Sequence, residues 1–276
     1  MAQNIDQISL PLKTDNNGVW PTLNNVVTIY VTKDHEVYVD SIQITYWDNL
    51  MPAVLNIHRQ LGMETIYTTP VLFHIDRKAK YRFIDRVKEE VARVKNKFFL
   101  YKIGDTNNAL VESNKIDGTI QKKWIGPIPS KELEFAKWEL TGSKLPDWLE
   151  NIEPLPNDEL KNSFAKYLYN GSLSDVNSIL DRHPHILITL LPDKKYRYNG
   201  TVRNMDDISA VSNLVISGTL LLYTFDPELD YEDYIYFLKQ KKRISLQRKA
   251  HYKTFGAIVE ISYSLESKMK DWGLKL

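Results

Sequence analysis

Two groups of side chains in this sequence have the chemistry to bind a metal ion. Five acidic residues lie close together, at Asp226, Glu228, Asp230, Glu232 and Asp233. A basic run follows them, which is the polarity that a helix dipole favours, and no glycine stands where an EF-hand loop needs one. His183 and His185 flank a proline but have no third ligand nearby in sequence. We therefore expect no metal and no cofactor.

Motifs for enzymatic catalysis are not found. The chain has no cysteine, which excludes disulfides, thiolate catalysis and zinc sites with cysteine ligands. It has no phosphate-binding glycine loop, no GxSxG and no HExxH. Carboxylates are plentiful, so an acid–base pair without a sequence signature stays open, but no spacing argues for one. The sequence predicts a protein that is not an enzyme.

A short pattern of apolar residues, Asp and Tyr occurs twice. The copies read VLFHIDRKAKYRFIDRV from residue 71 and LLLYTFDPELDYEDYIYFL from residue 220. In each, an apolar run ends in an Asp, and a Tyr follows five residues later: Asp76 with Tyr81, and Asp226 with Tyr231. A strand-like segment with a charged turn precedes both copies. We interpret this shared order as a diverged internal duplication.

The Asp and Tyr of each copy have two interpretations that can hold together. In one, the loop between them presents a partner-binding surface beside a sheet edge. In the other, the Asp ends a strand and caps the turn into a helix, where its charge suits the helix N-terminus, and the Tyr is the first core residue of that helix.

The elements around the first copy follow from hydrophobic spacing. Val26–Val39 alternates as a hairpin that turns at Lys33–Glu36, and Val71–Ile75 is typical of a strand. Tyr81–Val94 carries one apolar stripe at steps of three and four, which predicts an amphipathic helix. Lys97–Ile103 closes the unit as a strand.

A further helix is predicted between the hairpin and the strand that ends at Asp76. Asn49–Leu61 has apolar residues at helical spacing, and we expect Pro52 in its first turn and Gly62 at its end. The first unit is therefore β-β-α-β-α-β. For the second unit we expect a hairpin around Pro192–Lys195, a helix at Met205–Ile216, a strand at Thr219–Phe225, a helix from Tyr231 to Lys242, and a closing strand at either Ile244–Gln247 or Ala257–Tyr263.

The fold class expected from these elements is α+β, with two small units joined by an ordered connector. Each unit should be a mixed β-sheet with two helices on one face. We expect an extended linker over 1–21, unit 1 over 22–105, a Trp/Pro-rich and helical connector over 106–182, and unit 2 over 183–276.

Composition is ordinary for a globular protein and indicates no particular partner. The 276 residues are 43% hydrophobic and 26% charged, with a net charge of +1. That balance gives no global field and does not indicate nucleic acid. The basic run from Lys239 to Lys253 is interpreted as a solvated face, with an anionic surface as the alternative. Ile208–Phe225 has no charge but is too polar to span a membrane.

At these residues the chain resembles the soluble periplasmic domain of the ExbD/TolR family of biopolymer-transport proteins. In that family an extended linker ends in a Leu-Pro motif, and Leu10-Pro11 stands in that place. A strand pair with a charged turn and a helix follow, and then a strand that ends in Asp with a Tyr five residues on. Asp76 and Tyr81 match that last feature.

The resemblance is good over Ile5–Ile103 and weaker over Ile186–Leu238, and it has departures. The family usually has a proline just before the Tyr, whereas Lys80 and Asp230 stand there in the two copies. The family also has one such domain per chain and a transmembrane anchor before it. This chain carries two copies, and the anchor is not in it.

The resemblance implies a non-enzymatic, partner-binding role on the periplasmic side of the inner membrane. The chain would be part of a complex, driven by the proton-motive force, for transport or for energising the envelope. Its implied partners are an ExbB/TolQ-like membrane subunit, reached through the anchor, and a TonB-like protein or peptidoglycan. A homodimer is also implied, which two units in one chain could mimic.

The mechanism we favour is addition of a partner strand at an exposed sheet edge. The residues expected to bind the partner are Leu10, Pro11, Asp76, Tyr81, Asp226 and Tyr231. Two other classes remain open. One is a glycan-binding or hydrolytic protein in which exposed Trp124, Trp138 and Trp148 line a sugar groove. The other is a purely structural module.

Overall fold

The chain has an α+β fold built on two mixed β-sheets. A computed structural model describes residues 5–11, 26–62, 69–94, 98–104, 109–113, 127–128, 173–212, 220–251, 257–261 and 263. Two compact units are distinguished: one is Met1–Phe135 with Asp230–Ile235, and the other is Ala136–Leu229 with Tyr236–Leu276. No helix in these ranges is long and apolar enough to cross a membrane.

The first unit contains a six-stranded sheet. Its strands are β1 (Val27–Val31), β2 (Val37–Val39), β3 (Ile42–Ile44), β4 (Val71–Ile75), β5 (Phe98–Lys102) and β6 (Ala109–Ser113). Their order is β3-β2-β1-β4-β5-β6. β4 lies between two parallel neighbours and buries four of its five residues, as expected for a strand that is covered on both faces.

The hairpin predicted in the first unit is confirmed. Val31 pairs with Val37, the Thr32 N–H donates to the Glu36 carbonyl at 3.0 Å, and the His35 N–H donates to the Thr32 carbonyl at 3.0 Å. His35 has a φ of 64°, the left-handed conformation that closes a three-residue turn. The turn therefore fixes His35 at the end of the sheet from which the Asp76 loop also leaves.

Two helices accompany this sheet: α1 (Trp47–Leu61) and α2 (Tyr81–Ala92). Gly62 follows α1 with a φ of 102°, which agrees with the expected stop. The prediction that Pro52 lies in the first turn is wrong. The helix begins at Trp47, so Pro52 lies in the second turn and leaves the Asp48 carbonyl without its usual helical donor.

The second unit contains a five-stranded sheet. Its strands are β7 (His185–Leu191), β8 (Lys195–Tyr198), β9 (Thr201–Asn204), β10 (Leu220–Phe225) and β11 (Ala257–Glu260), and its helices are α3 (Leu173–Arg182), α4 (Ile208–Ser212) and α5 (Tyr231–His251). The strand order is β11-β10-β7-β8-β9. The closing strand is β11, which lies within the predicted alternative Ala257–Tyr263. The other alternative, Ile244–Gln247, belongs to α5.

The two sheets repeat one topology. Each begins with an antiparallel meander of three strands, and the first strand of the meander then pairs in parallel with a fourth, which pairs in parallel with a fifth. The order β3-β2-β1-β4-β5 thus corresponds to β9-β8-β7-β10-β11. A helical segment stands between corresponding strands in both units. This agrees with the duplication that the sequence pattern indicates.

Some elements differ from the expected boundaries. β3, β6 and β9 were not predicted, and β6 lies in the stretch assigned to the connector after residue 105. Of the connector, β6, Pro127–Ile128 and α3 are described, whereas Trp124, Trp138 and Trp148 lie outside the described residues. The tryptophan-lined sugar groove is therefore neither supported nor opposed by the described residues.

Candidate partner-binding site

Asp76 organises the turn that links β4 to α2. Its backbone N–H donates to the Val31 carbonyl at 2.8 Å, which continues the pairing of β4 with β1. Its carboxylate accepts the Lys78 N–H at 2.8 Å and the Ser9 N–H at 2.9 Å. Asp76 is only 3% exposed. The carboxylate therefore serves two backbone donors inside the unit, as the capping interpretation predicts.

The linker around Leu10 and Pro11 lies against the ends of two parallel strands. The Arg77 N–H, just after β4, donates to the Ser9 carbonyl at 2.7 Å. The Gly104 N–H, just after β5, donates to the Pro11 carbonyl at 3.0 Å. Leu10 is half-buried and Pro11 is buried. The structure thus brings Leu10, Pro11 and Asp76 together at one end of the first sheet.

Asp226 makes the corresponding turn after β10. Its N–H donates to the Leu190 carbonyl at 2.8 Å, and its carboxylate accepts the Glu228 N–H at 2.9 Å. The Leu229 N–H returns to the Asp226 carbonyl at 3.0 Å, just as the Ala79 N–H returns to that of Asp76. Asp226 is half-buried. The two Asp residues therefore have the same local role.

Tyr81 and Tyr231 are core residues. They are the first residues of α2 and α5, and both are 0% exposed. A ring without accessible surface offers no area to a partner, and the carboxylate of Asp76 is engaged inside the unit. These side chains build the turns and the core, as the capping interpretation predicts. Contact of Asp76, Tyr81 and Tyr231 with a partner stays a prediction.

The first turn of α5 belongs to the first unit and contacts the loop of the first copy. The Tyr231 N–H donates to the Ala79 carbonyl at 2.9 Å, and the Glu232 N–H donates to the Arg77 carbonyl at 3.1 Å. Helix N-termini have N–H groups with no partner in their own helix. Here backbone carbonyls of a loop about 150 residues away in sequence accept two of them.

Charge pairs reinforce this contact inside the first unit. The Asp230 carboxylate lies 3.0 Å from the Lys78 ammonium and 3.1 Å from the Lys80 ammonium. The hydrogen bond with Asp230 raises the pKa of Lys78. Lys80 and Asp230, the residues just before the two tyrosines, are thus paired with each other.

A cluster of tyrosines lies beneath these charges. Tyr81 and Tyr234 stack with ring centroids 3.9 Å apart, and Tyr101 meets Tyr234 edge to face at 6.2 Å. The Lys88 ammonium donates to the Tyr234 hydroxyl at 2.6 Å and lies 4.7 Å from the centroid of that ring. Lysine thus combines a hydrogen bond with a cation–π contact.

His35 is a site residue that sequence reasoning missed. Its ring stacks on Phe83 at 4.7 Å, and its Nε2 accepts the Lys80 N–H at 3.2 Å. Burial, followed by the positive charge of Arg82, lowers the pKa of His35 to about 4. The imidazole is therefore neutral and ties the hairpin turn to the Asp76 loop. The only sequence signal was a histidine within the predicted turn Lys33–Glu36.

The sheet edges carry the exposed apolar side chains of the described residues. The large hydrophobic residues that are exposed there are Ile42 on β3 at 55%, Tyr46 at 51% and Val202 on β9 at 50%. The chain beyond β3 is partly paired, because the Ile128 N–H donates to the Thr45 carbonyl at 2.8 Å. No described segment pairs with the outer edge of β9.

The backbone of β9 directs donors and acceptors outward. Lys194 and Met205 form a hydrogen-bonded pair, because the Met205 N–H donates to the Lys194 carbonyl at 2.7 Å. Antiparallel pairs alternate between bonded and non-bonded, and the register pairs Asn204 with Lys195 and Val202 with Arg197. Both of these pairs are non-bonded. The N–H and C=O groups of Val202 and Asn204 therefore point to the free edge.

Comparisons with protein-family models, with curated proteins and with solved structures found no match. Among the described residues, no three His, Asp or Glu side chains are placed to hold a metal ion together. The arrangement offers backbone hydrogen bonding at an exposed strand, which is the chemistry of protein recognition.

Proposed function

We propose that this chain is the non-enzymatic, partner-binding periplasmic portion of an ExbD/TolR-type complex, driven by the proton-motive force, for transport or for energising the envelope. The observation that carries the binding role is β9. All four of its residues are exposed, and Val202 and Asn204 direct backbone groups outward. A partner strand would gain main-chain hydrogen bonds there.

The family part of the proposal is supported by where the resembling residues lie. Leu10-Pro11 and the Asp76 turn meet at one end of a sheet, and the hairpin with the charged turn packs beside them through His35. The second unit repeats the strand order. An ExbB/TolQ-like subunit would act through the anchor, and a TonB-like protein or peptidoglycan is the partner of the soluble part.

Leu10 and Pro11 have a positioning role in this proposal. Their segment is fastened to the ends of β4 and β5, so a pull on the linker would reach the first sheet directly. The two units in one chain also supply the pair of domains that a homodimer of single-unit chains would provide.

Photo-crosslinking in cells tests this proposal. A photoreactive residue is placed at position 202, with matched probes at position 42 on β3 and at Arg59, an exposed residue of α1. We expect a crosslink from position 202 to one envelope protein, and we expect a protonophore to change its yield. Crosslinks from position 59 alone, or a yield that the protonophore leaves unchanged, would contradict the proposal.

A further inference from the structure

We propose that the β8–β9 hairpin binds an extended acidic segment of a partner protein, which adds to the second sheet as a strand beside β9. The inference rests on the proposed function, because it names the chemistry of the segment that this edge accepts. It is carried by the charges of the hairpin, which the proposed function does not use.

The hairpin strands carry cations and no anions. Lys195, Arg197 and Arg203 are all exposed, and the sequence from Lys195 to Asn204 contains no Asp or Glu. None of the three cations forms an ion pair within the part of the chain that the structure describes. The edge is therefore a positively charged strip.

Two acidic residues directly follow β9, and one of them, Asp206, is engaged with α5. The Asp206 carboxylate accepts hydrogen bonds from the Tyr236 hydroxyl and from the Gln240 amide, at 3.4 Å in the latter case. The guanidinium of Arg203 instead lies beside the hydroxyl of the buried Tyr196. The contact with Tyr196 thus orients the Arg203 guanidinium, although Arg203 as a whole is exposed.

The register determines on which face of the hairpin each of these side chains lies, and so what an added strand would contact. Lys195, Arg197, Val202 and Asn204 share one face, because Lys195 pairs with Asn204 and Arg197 with Val202. Arg203 lies on the other face. A strand beside β9 would pack an apolar side chain against Val202 and place an acidic one next to Arg203. Alternating apolar and acidic residues therefore fit best.

Charge also decides against self-pairing of this edge. Two copies of β9 joined edge to edge would bring Arg203 of one copy close to Arg203 of the other. Like charges across a strand pair are destabilising. An edge that is rich in Lys or Arg is a recognised protection against such pairing. An acidic partner strand would convert the same charges into attraction.

Peptide binding to the full chain tests the inference. The probe is a fluorescein-labelled peptide that alternates Val and Glu. Its length of about eight residues lies within the usual range for a strand. Its matched control alternates Val and Lys. By fluorescence anisotropy we expect the acidic peptide to bind at least about tenfold more tightly, with a difference that shrinks as salt is added.

Variants of the hairpin separate backbone pairing from charge. Val202→Pro removes an outward N–H and should abolish binding, while an edge strand tolerates proline at such a position. Val202→Thr keeps the N–H and the branched shape, and it should retain binding. Arg203→Glu reverses the charge on the face where the acidic side chains of the peptide lie. It should weaken the acidic peptide at least about tenfold, whereas Arg59→Glu on α1 should not.

The outcomes distinguish this inference from the proposed function. If the Lys peptide binds as tightly and Val202→Pro abolishes both, strand addition stands and the acidic preference is overturned. If Val202→Pro leaves the acidic peptide bound, pairing at β9 is overturned for both proposals. If neither peptide binds, the inference is overturned, and crosslinking at position 202 decides the proposed function by itself.

Discussion

At the scale of single residues, Asp76 has the clearest stabilising role. Its carboxylate accepts two part-buried backbone N–H groups, from Ser9 and Lys78. Asp76→Ala would leave both without this acceptor. Each unsatisfied group costs about 1–3 kcal/mol when it is buried, and these two are only part-buried. We therefore expect a loss of about 2–4 kcal/mol in the free energy of unfolding, in the lower part of the range for two groups. Urea unfolding followed by circular dichroism measures it.

Asp226→Ala is the matched control for that change. Asp226 has the same turn but accepts one N–H, from Glu228, in an exposed hydrogen bond. We therefore expect a loss of only about 0.5–1 kcal/mol. Equal losses for the two variants would show that burial of the Asp76 carboxylate and its bond to the linker contribute nothing.

His35 predicts a pH dependence of stability. Its folded-state pKa is about 4, against an ordinary value of 6.5, because burial disfavours the charged imidazole. Between these two pH values the unfolded chain binds a proton and the folded chain does not. Stability therefore falls as the pH drops from 6.5 towards 4, by up to about 3 kcal/mol from this residue.

His35→Asn tests that dependence, because asparagine tolerates the left-handed φ. The pH slope between 6.5 and 4 should become shallower, even though the loss of the bond from Lys80 lowers stability at neutral pH. His74, whose pKa is also lowered to about 4, leaves a residual slope. An unchanged slope would show that folding does not lower the pKa of His35.

At the scale of elements, the β8–β9 hairpin depends on its turn. Asn199 and Gly200 both have positive φ, 46° and 74°, as a two-residue type I′ turn requires. A Cβ at Gly200 would meet nothing within 4 Å, so Gly200→Ala adds backbone strain alone. We expect a loss of about 1 kcal/mol in stability.

Gly200→Asn is the comparison for the turn. Asparagine adopts the left-handed region more readily than alanine, so its loss should be smaller. Thermal unfolding of both variants gives the order. If alanine is tolerated better than asparagine, side-chain interactions rather than φ decide the stability of this turn.

The elements that the sequence predicted are those with strong patterns. β4 and β10 were predicted because each is a short and nearly continuous apolar run. α2 was predicted because its apolar residues recur at steps of three and four. β3 was missed because it has three residues and includes the polar Gln43, and it exists by pairing with β2. Pro52 was placed a turn too early because the predicted helix left out Trp47, which begins the helix and lies on the same buried stripe as Leu50.

The site was predictable only in part. The sequence identified Leu10, Pro11 and the turns at Asp76 and Asp226. The structure brings Leu10, Pro11 and Asp76 together. The sequence could not show that Tyr81 and Tyr231 are fully buried, because burial depends on distant partners such as Tyr101 and Tyr234. The exposed edge at Val202 is a property of strand order, which no local pattern records.

At the scale of the whole molecule, the first unit is completed by residues from far along the chain. Asp230–Ile235 supply Tyr231 and Tyr234 to the cluster around Tyr81. A fragment that ends at residue 135 should therefore unfold at lower urea concentration than the same unit in the full chain. A peptide that spans residues 228–240, added to the fragment, should restore part of the difference.

A peptide with Tyr234→Ala is the control for that rescue. It removes the ring that stacks on Tyr81 and accepts the Lys88 ammonium, so it should stabilise the fragment less. If the fragment is as stable alone as in the full chain, residues 230–235 are dispensable for the first unit.

The late arrival of Asp230–Ile235 has a consequence during synthesis. The six strands of the first sheet leave the ribosome before the first unit can fold completely. Its last segment, Asp230–Ile235, is synthesised about 100 residues later. At about 5–20 residues per second, translation of that interval takes about 5–20 s. For this time Tyr81 and Tyr101 lack their cover, so a nascent chain would present them to chaperones or to a neighbouring chain.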